Sequence, residues 1–442
     1  MFKLQNPYFF LLSFFLLVFA RLQAQSPAEL INDLQNIHKR LKDSPCDSAQ
    51  LLSNRAMTLF LSDRVGSYLT NNTDLSFYKN YVTLNTRDGI FSLNHNMHQP
   101  KGFDEPVRSF MVLGIKANIA NAFAATFSNT TFTNELGFTF KNTWFGKNRT
   151  SVKNCSEKYL MDVKRGVMLE SLIADIQKQE AEFGRSMNLL KQDSLSNQNF
   201  TQAREAATTD FNSRLREESS LKFATAQYQD LANDKSQFKT IRTHWTDFFV
   251  YLPLIPKRFV VAENYQAPIM NRGAYSFEVL LQHTKYWESK QYGRFIISLQ
   301  AQLLLNNLIE TNALERLDYK QYTDGGGVDS ILLNQREINT IFLGSYRTFL
   351  SPSTQVRIVY FPPTSHIGFS TSLEKNFGTY KALNWCIGIP VVLIDKKDAP
   401  AANFEFKINY YDITHEVFPN KHYKDNISIS LAVGVPFSKI VQ

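Results

Sequence analysis

The sequence predicts an all-β transmembrane barrel of 12 to 14 antiparallel strands, with helices before the first strand and a helical hairpin or short coiled coil inserted among the strands. Three observations carry that expectation: a strictly alternating segment near the carboxyl end, an export signal at the amino end, and a series of similar alternating segments between them. In the last segment Ile427, Ile429, Leu431, Val433, Val435 and Phe437 fall on one face, and Asn426, Ser428, Ser430, Ala432, Gly434 and Pro436 on the other. A strand has a side-chain period of two, so one wall is apolar and the other is small or polar. Roughly 9 to 11 residues cross a bilayer as a tilted strand, so the segment has the right length, and its apolar face is assigned to lipid.

The export signal occupies residues 1–24. Lys3 gives the positive start, residues 8–20 are apolar except for Ser13, and Ala20 to Ala24 offer a small-residue exit. That run is too short for a spanning helix, and no later apolar stretch reaches about 18 residues, which argues against a helical membrane protein. The expected organisation is a cleaved signal at 1–24, an N-terminal helical segment at 25–75, first barrel strands at 76–151, a helical insertion at 152–238 and the remaining barrel strands at 239–442.

Composition agrees with this scheme. Aromatic residues make up 13% of the chain, with 36 Phe and 19 Tyr, as expected of a barrel girdled by aromatic side chains at two interfaces. The formal net charge is +8, and Lys3 and Arg21 leave with the signal. So modest an excess on a long chain argues against a nucleic-acid partner. Three cysteines are too few for a disulfide scaffold, although Cys46 and Cys155 can pair in an oxidising periplasm, leaving Cys386 in an alternating strand.

Along the chain, Ser26-Pro27-Ala28-Glu29 has the form of a capping box, and Leu30, Leu34, Ile37 and Leu41 follow at helical spacing. A second helix is expected over 48–65, with Leu52, Met57, Phe60 and Leu61 as a packing face. Helical periodicity returns over 156–236, with a polar break at 192–209. This insertion is too long for a barrel turn and is read as a packing hairpin or as a docking element for a protein partner. Strands are expected at 81–84, 89–96, 109–120, 135–145, 240–252, 274–287, 294–306, 337–348, 355–361, 367–374, 383–394, 403–413 and at the end. That series is odd in number, whereas single-chain bacterial barrels are normally even. Counted from one terminus the insertion is periplasmic, and from the other it is extracellular.

Charged residues on the polar faces, namely Lys116, Lys141, Glu278, Arg294, Arg357, Glu405 and Lys407, are the candidate lumen-facing residues. Such groups set ion selectivity in an open pore, or pair across a narrow interior and fill it; the sequence favours filling.

Segments 382–413 (ALNWCIGIPVVLIDKKDAPAANFEFKINYYDI) and 425–440 (DNISISLAVGVPFSKI), together with 242–254 (RTHWTDFFVYLPL), resemble uncharacterised outer-membrane β-barrel proteins of Gram-negative bacteria. The resemblance implies the location and the fold. It implies no substrate and carries over no functional residue.

Catalytic and metal-binding patterns are weak. His95 and His98 stand three apart without a Cys or acidic ligand beside them, His415-Glu416 lacks the second His of a metalloprotease helix, and no GxSxG elbow occurs. The glycine-rich stretch 324–329 (DGGGVD) lacks the spacing of a calcium loop and reads as a loop tip. The sequence therefore predicts no cofactor, no metal site and no catalytic residue. It points to a non-enzymatic outer-membrane protein with a transport or scaffolding role, whose partners are membrane lipid and a protein docked on the helical insertion. An outer-membrane hydrolase of lipase or protease type and a soluble secreted β-sandwich interaction protein are the rivals. A direct test follows from the last strand. Leu431→Arg is expected to cost on the order of 2 to 4 kcal/mol in a bilayer and to block assembly, while Ser430→Arg is tolerated or alters only the lumen; heat-dependent gel mobility of the folded protein reads both.

Overall fold

Strand pairing in the computed structural model draws the chain into one closed ring. The structure describes residues 26–45, 52–66, 80–85, 90–97, 104, 108–118, 127–128, 131–132, 136–152, 154–192, 197–233, 238–311, 314–321, 337–394, 400–417 and 426–437. The segment expected as an export signal (1–24), Cys46, His98, Ile119 and the glycine-rich stretch 324–329 lie outside the described residues.

Four helices are described: α1 (Pro27–Asp43), α2 (Asn54–Gly66), α3 (Cys155–Gln192) and α4 (Asn197–Asn233). The strands, in chain order, are β1 (Asn80–Asn85), β2 (Ile90–Asn96), β3 (Ser109–Asn118), β4 (Phe127–Ser128), β5 (Thr131–Phe132), β6 (Leu136–Phe145), β7 (Arg149–Ser151), β8 (Thr240–Ile255), β9 (Lys257–Ala262), β10 (Met270–Ala274), β11 (Glu278–Ser289), β12 (Gly293–Asn307), β13 (Glu315–Gln321), β14 (Glu337–Leu343), β15 (Thr348–Phe361), β16 (Phe369–Asn376), β17 (Leu383–Ile394), β18 (Pro400–Tyr410) and β19 (Ile427–Phe437).

Twelve of them form the barrel, in the antiparallel order β1-β2-β3-β6-β8-β11-β12-β15-β16-β17-β18-β19. The ring closes where β1 pairs with β19, Tyr81 opposite Pro436 and Val82 opposite Val435. β7 adds a short rung beside β8, β4 and β5 form a separate hairpin, and β10-β9-β14-β13 make a small four-stranded sheet. The segment expected as a barrel strand over 337–348 is therefore corrected: β14 pairs antiparallel with β13 and parallel with β9, not with the ring. Its removal makes the strand number even. Both ends of the barrel chain then lie at one end of the barrel, and α3 and α4, which leave between β7 and β8, lie at that same end.

Alternation sorts the wall into two faces. Ser430 and Ala432 are buried, while Ile427, Val435 and above all Ile429, 80% exposed, point outward. Leu431 and Val433 share the outward parity, half-buried, and the side chain of Phe437 lies outside the described residues. Ser430 is only 5% exposed, receives a hydrogen bond from Asn409 Nδ2 at 3.0 Å and stands opposite Lys407. An arginine there would enter a packed row beside Lys407, whose carboxylate partner Glu405 is already shared with Arg357.

Helix α1 begins as its capping box requires: Ser26 Oγ accepts from the Glu29 amide at 3.3 Å, and Glu29 returns the bond to the Ser26 amide at 2.9 Å. Its stripe of Leu30, Leu34, Ile37 and Leu41 is buried against Leu169, Leu172 and Ile176 of α3 and Leu215 and Phe223 of α4. The polar break expected at 192–209 is mostly helical, since α4 starts at Asn197; Ser, Thr and Asn weaken a helix by tenths of a kcal/mol per residue, which a packed partner outweighs. Phe183 and Phe211 stack at 4.1 Å farther along the pair. Cys155, the first residue of α3, is disulfide-bonded, whereas Cys386 takes part in no disulfide.

One histidine makes this three-helix bundle sensitive to acid. His38 of α1 is half-buried with its Nδ1 unpartnered among the described residues. Burial, then the nearby Arg165 and Lys42, holds its imidazole below the ordinary range against the opposing pull of Asp162. The unfolded chain then binds a proton that the folded chain resists, so stability falls as pH drops below about 6.5. Helicity followed by circular dichroism between pH 8 and 5 should show the α1 contact loosening, and His38→Gln should flatten that part of the profile.

Candidate functional site: the barrel interior and its internal helix

Inward-facing positions of the strands carry polar side chains that meet across the ring. At mid-height Glu405 of β18, fully buried, holds Lys407 Nζ at 2.8 Å, Arg357 Nη2 at 3.3 Å and the Ser370 hydroxyl at 2.5 Å. Arg357 stands on β15, three strands from β18, so this ion pair bridges the interior rather than following one ladder. Gly388 of β17 lies between them; a Cβ there would collide with the Ser370 hydroxyl, so the bare backbone leaves room for the network.

A second bridge lies toward the end that carries the small sheet. Lys116 of β3 reaches Glu278 of β11 at 3.1 Å and sits 4.4 Å above the Tyr251 ring, and Gln302 donates to the same carboxylate at 2.9 Å. Lys141, 2% exposed, lies 5.4 Å from the centre of the Tyr81 ring. A charge taken from water costs several kcal/mol unless paired, which is why each of these cations is met by a carboxylate or an aromatic face.

Toward the end that holds both chain termini of the barrel, the inward residues change character. Phe110, Val112, Ile241, Trp245, Tyr286, Ile296, Val359, Phe361 and Val392 are buried together with Leu52, Ala56, Met57, Phe60, Leu61 and Val65. Most of the latter belong to α2, so this helix packs against the inward side chains at that mouth of the barrel. Burial of Phe60 alone is worth roughly 1.5 to 3 kcal/mol relative to exposure. Arg294 of β12 fixes the helix end, donating to the Arg64 carbonyl at 3.4 Å and to the Ser365 carbonyl at 3.2 Å while lying 4.7 Å from the Phe361 ring. Arg64 approaches Glu288 at 3.9 Å, and Glu288 also accepts from the Tyr286 hydroxyl.

Tethers hold the other end of α2. Ser53 Oγ accepts from the Ala56 amide at 3.2 Å as the cap, and the Ser53 amide donates to Gln227 Oε1 of α4 at 2.9 Å. Arg55 Nη1 donates to Ser220 of α4 at 2.6 Å. Asp104, in the connection from β2 to β3, accepts from the Arg55 amide at 3.3 Å and pairs with Arg40 of α1. Burial raises this carboxyl above its ordinary range, more than the Arg40 and backbone donors lower it.

The structure thus places Lys116 with Glu278, and Arg357 with Glu405 and Lys407. Lys141 and Arg294 lie elsewhere in the interior. Sequence reasoning found α2, expected within 48–65 and present over Asn54–Gly66, but missed its place among the inward side chains: a helix buried on nearly all sides reads like a surface helix when only its best stripe is counted. The signal was the apolar inward residues, such as Ile296 between Arg294 and Ser298, which spoil polar alternation at one end. His95 points outward from β2, and no group of metal-ligating side chains occurs among the described residues.

Fold and interior define a closed twelve-stranded antiparallel barrel with a charged, side-chain-filled interior and an internal helix at one mouth. No protein-family model matches this chain, and no curated protein matches it. Among solved structures, the crystal structure of the beta domain of the Bordetella autotransporter Brka aligns with 81% of this chain and 96% of that one, at 7% identity and a TM-score of 0.26. At that score the likeness carries no weight, and the barrel rests on its own strand pairing.

The Glu405 bridge is open to a direct test. Glu405→Gln leaves Arg357 and Lys407 without their shared counter-charge and should destabilise the barrel by about 3 to 5 kcal/mol, the range for breaking a buried ion pair. The urea midpoint of the folded-to-unfolded gel transition should fall accordingly, and no change would show that the interior is too wet for the pair to matter.

Proposed function

We propose that this protein is a non-enzymatic outer-membrane barrel of a Gram-negative bacterium, a scaffold that holds its helical arm on the periplasmic side of a stoppered lumen. The observation that carries the reading is the inverted wall: Leu113, Ile115, Phe138, Leu252, Leu281 and Leu299 stand exposed outside while the interior is polar. A water-soluble protein rarely exposes contiguous apolar area beyond a few hundred Å2. Lipid is the partner such a wall fits.

Aromatic side chains edge the wall at two levels. Trp287 lies 5.1 Å from Phe295, and Phe295 lies 4.6 Å from Tyr360, at the end that holds α2. Trp385 and Tyr410 stack at 5.4 Å toward the opposite end. From Phe295 to Leu305, about ten residues at roughly 3.3 Å each and a tilt near 40° give on the order of 25 Å of height, the apolar band of an outer-membrane barrel.

The periplasmic assignment follows the usual placement of barrel termini and brings α1, α3 and α4 to that side. The filled interior and α2 favour a scaffold over an open pore, and the arm is the surface for a protein partner. Transport on this reading requires α2 to leave the mouth.

Heat-dependent mobility in detergent and conductance in planar bilayers test the scheme together. The wild-type protein should shift on boiling and give no steady current, Phe60→Asp should admit current, and Leu299→Arg, at a site 59% exposed in the isolated barrel, should impair insertion by about 2 to 4 kcal/mol. A soluble wild-type protein indifferent to Leu299→Arg ends the membrane reading. A steady wild-type current ends the stoppered one.

A further inference from the structure

Charge on the outer wall is one-sided. Asp247, Glu278, Glu288, Glu374 and Glu405, the acidic residues of the twelve barrel strands, all fall on the inward parity of their strands. Outward positions carry Arg242 of β8 and Lys285 of β11, on neighbouring strands, and Lys375 of β16, which is paired with Glu416.

Arg242 and Lys285 belong to a cluster. Arg149 of β7 stands directly opposite Arg242, and Lys285 directly opposite His244, while Trp287 faces Arg242 from the other side. The rings of His244 and His283 are 5.7 Å apart. Gly146 makes the cluster possible, because a Cβ there would collide with the His244 imidazole lying across it. All four basic side chains are exposed. None of them makes an ion pair among the described residues.

Like charges set directly opposite on a ladder destabilise a sheet. Here the repulsion is arranged at one level of the wall, beside the exposed Trp144 and next to Trp287. That is the level of the aromatic belt, where amphipathic rings meet lipid headgroups. The anion available to a lipid-facing wall at that depth is a phosphodiester, whose oxygens match the forked donors of Arg149 and Arg242, with Lys285 as a point charge.

We propose that Arg149, Arg242, His244 and Lys285 form a binding site for the phosphate of an anionic glycerophospholipid headgroup, one that carries no choline cation to offset it, in the leaflet on the side of the chain termini, with Trp144 and Trp287 flanking the glycerol region. The site rests on the membrane reading above. It goes beyond it by fixing where on the circumference, and in which leaflet, one lipid class is held.

The test uses the full-length protein folded into phosphatidylcholine bilayers doped with phosphatidylglycerol, then extracted gently and weighed by native mass spectrometry. Wild-type protein should keep phosphatidylglycerol in preference to phosphatidylcholine, and Arg242→Gln combined with Lys285→Gln should reduce that retention roughly 30-fold, at the usual worth of two basic residues beside an anionic surface. The double variant should still insert and still shift on boiling, since neither residue pairs with the interior. Equal retention by wild type and variant in an inserted barrel overturns the site while leaving the membrane reading intact. Release of the lipid by millimolar inorganic phosphate would assign the cluster to free phosphate and overturn the lipid assignment. Failure of the wild-type protein to enter bilayers overturns both.

Discussion

The hydrogen-bonded seam between β1 and β19 is the constraint on which the rest of the structure depends. An open sheet has edges and two ambiguous faces; a closed ring has no edge and one inside. Once Tyr81 opposes Pro436 and Leu84 opposes Val433, the parity of every strand is fixed around the circumference, and a one-residue slip anywhere would turn a whole row of side chains over. From that closure follow the apolar exterior, the polar interior and the demand that interior charges find partners within reach.

The interior answers the demand in two ways. Over most of its height, polar side chains pair across the ring, as Arg357 does with Glu405 over three strands. At the mouth beside the termini the inward residues are apolar, and only another apolar surface can cover them. Helix α2 supplies it with Phe60, Met57 and Leu61. The helix is not free to be a passive filler, because its first turn is fastened to α4 through Gln227 and Ser220 and to Asp104. Stopper and arm are therefore one mechanical unit: a force that swings α4 acts on the cap of α2 before it acts on the barrel wall.

Local patterns in the sequence were legible where they were decided locally. The alternation of β12 and β19 needed only a period of two, and the capping box of α1 needed four residues. What escaped was decided at a distance. The strand over 337–343 alternates like its neighbours, but its place in a separate sheet depends on β9 and β13, far away in the chain. The partners of Lys116 and Arg357 are set by register across intervening strands, which no spacing encodes. The place of helix α2 escaped, though the helix itself did not, because the residues that bury it are spread over at least seven strands, each contributing one or two apolar side chains that look like noise in an otherwise polar row.

Charge segregation completes the logic of closure. In a ring of low dielectric an unpaired carboxylate is intolerable, so the acidic residues of the strands collect inside, where Lys116 meets Glu278, Arg357 and Lys407 meet Glu405, Arg64 meets Glu288 and the Thr143 hydroxyl meets Asp247. The same rule read from outside removes every carboxylate from the apolar band. Basic residues are treated differently, because long cationic side chains reach past an apolar surface to its polar margin. Arg242 and Lys285 sit at that margin and nowhere nearer the middle of the wall. On the outer face of the barrel strands the positive charge is thus not diffuse: it stands at Arg242, Lys285 and Lys375, the last paired with Glu416.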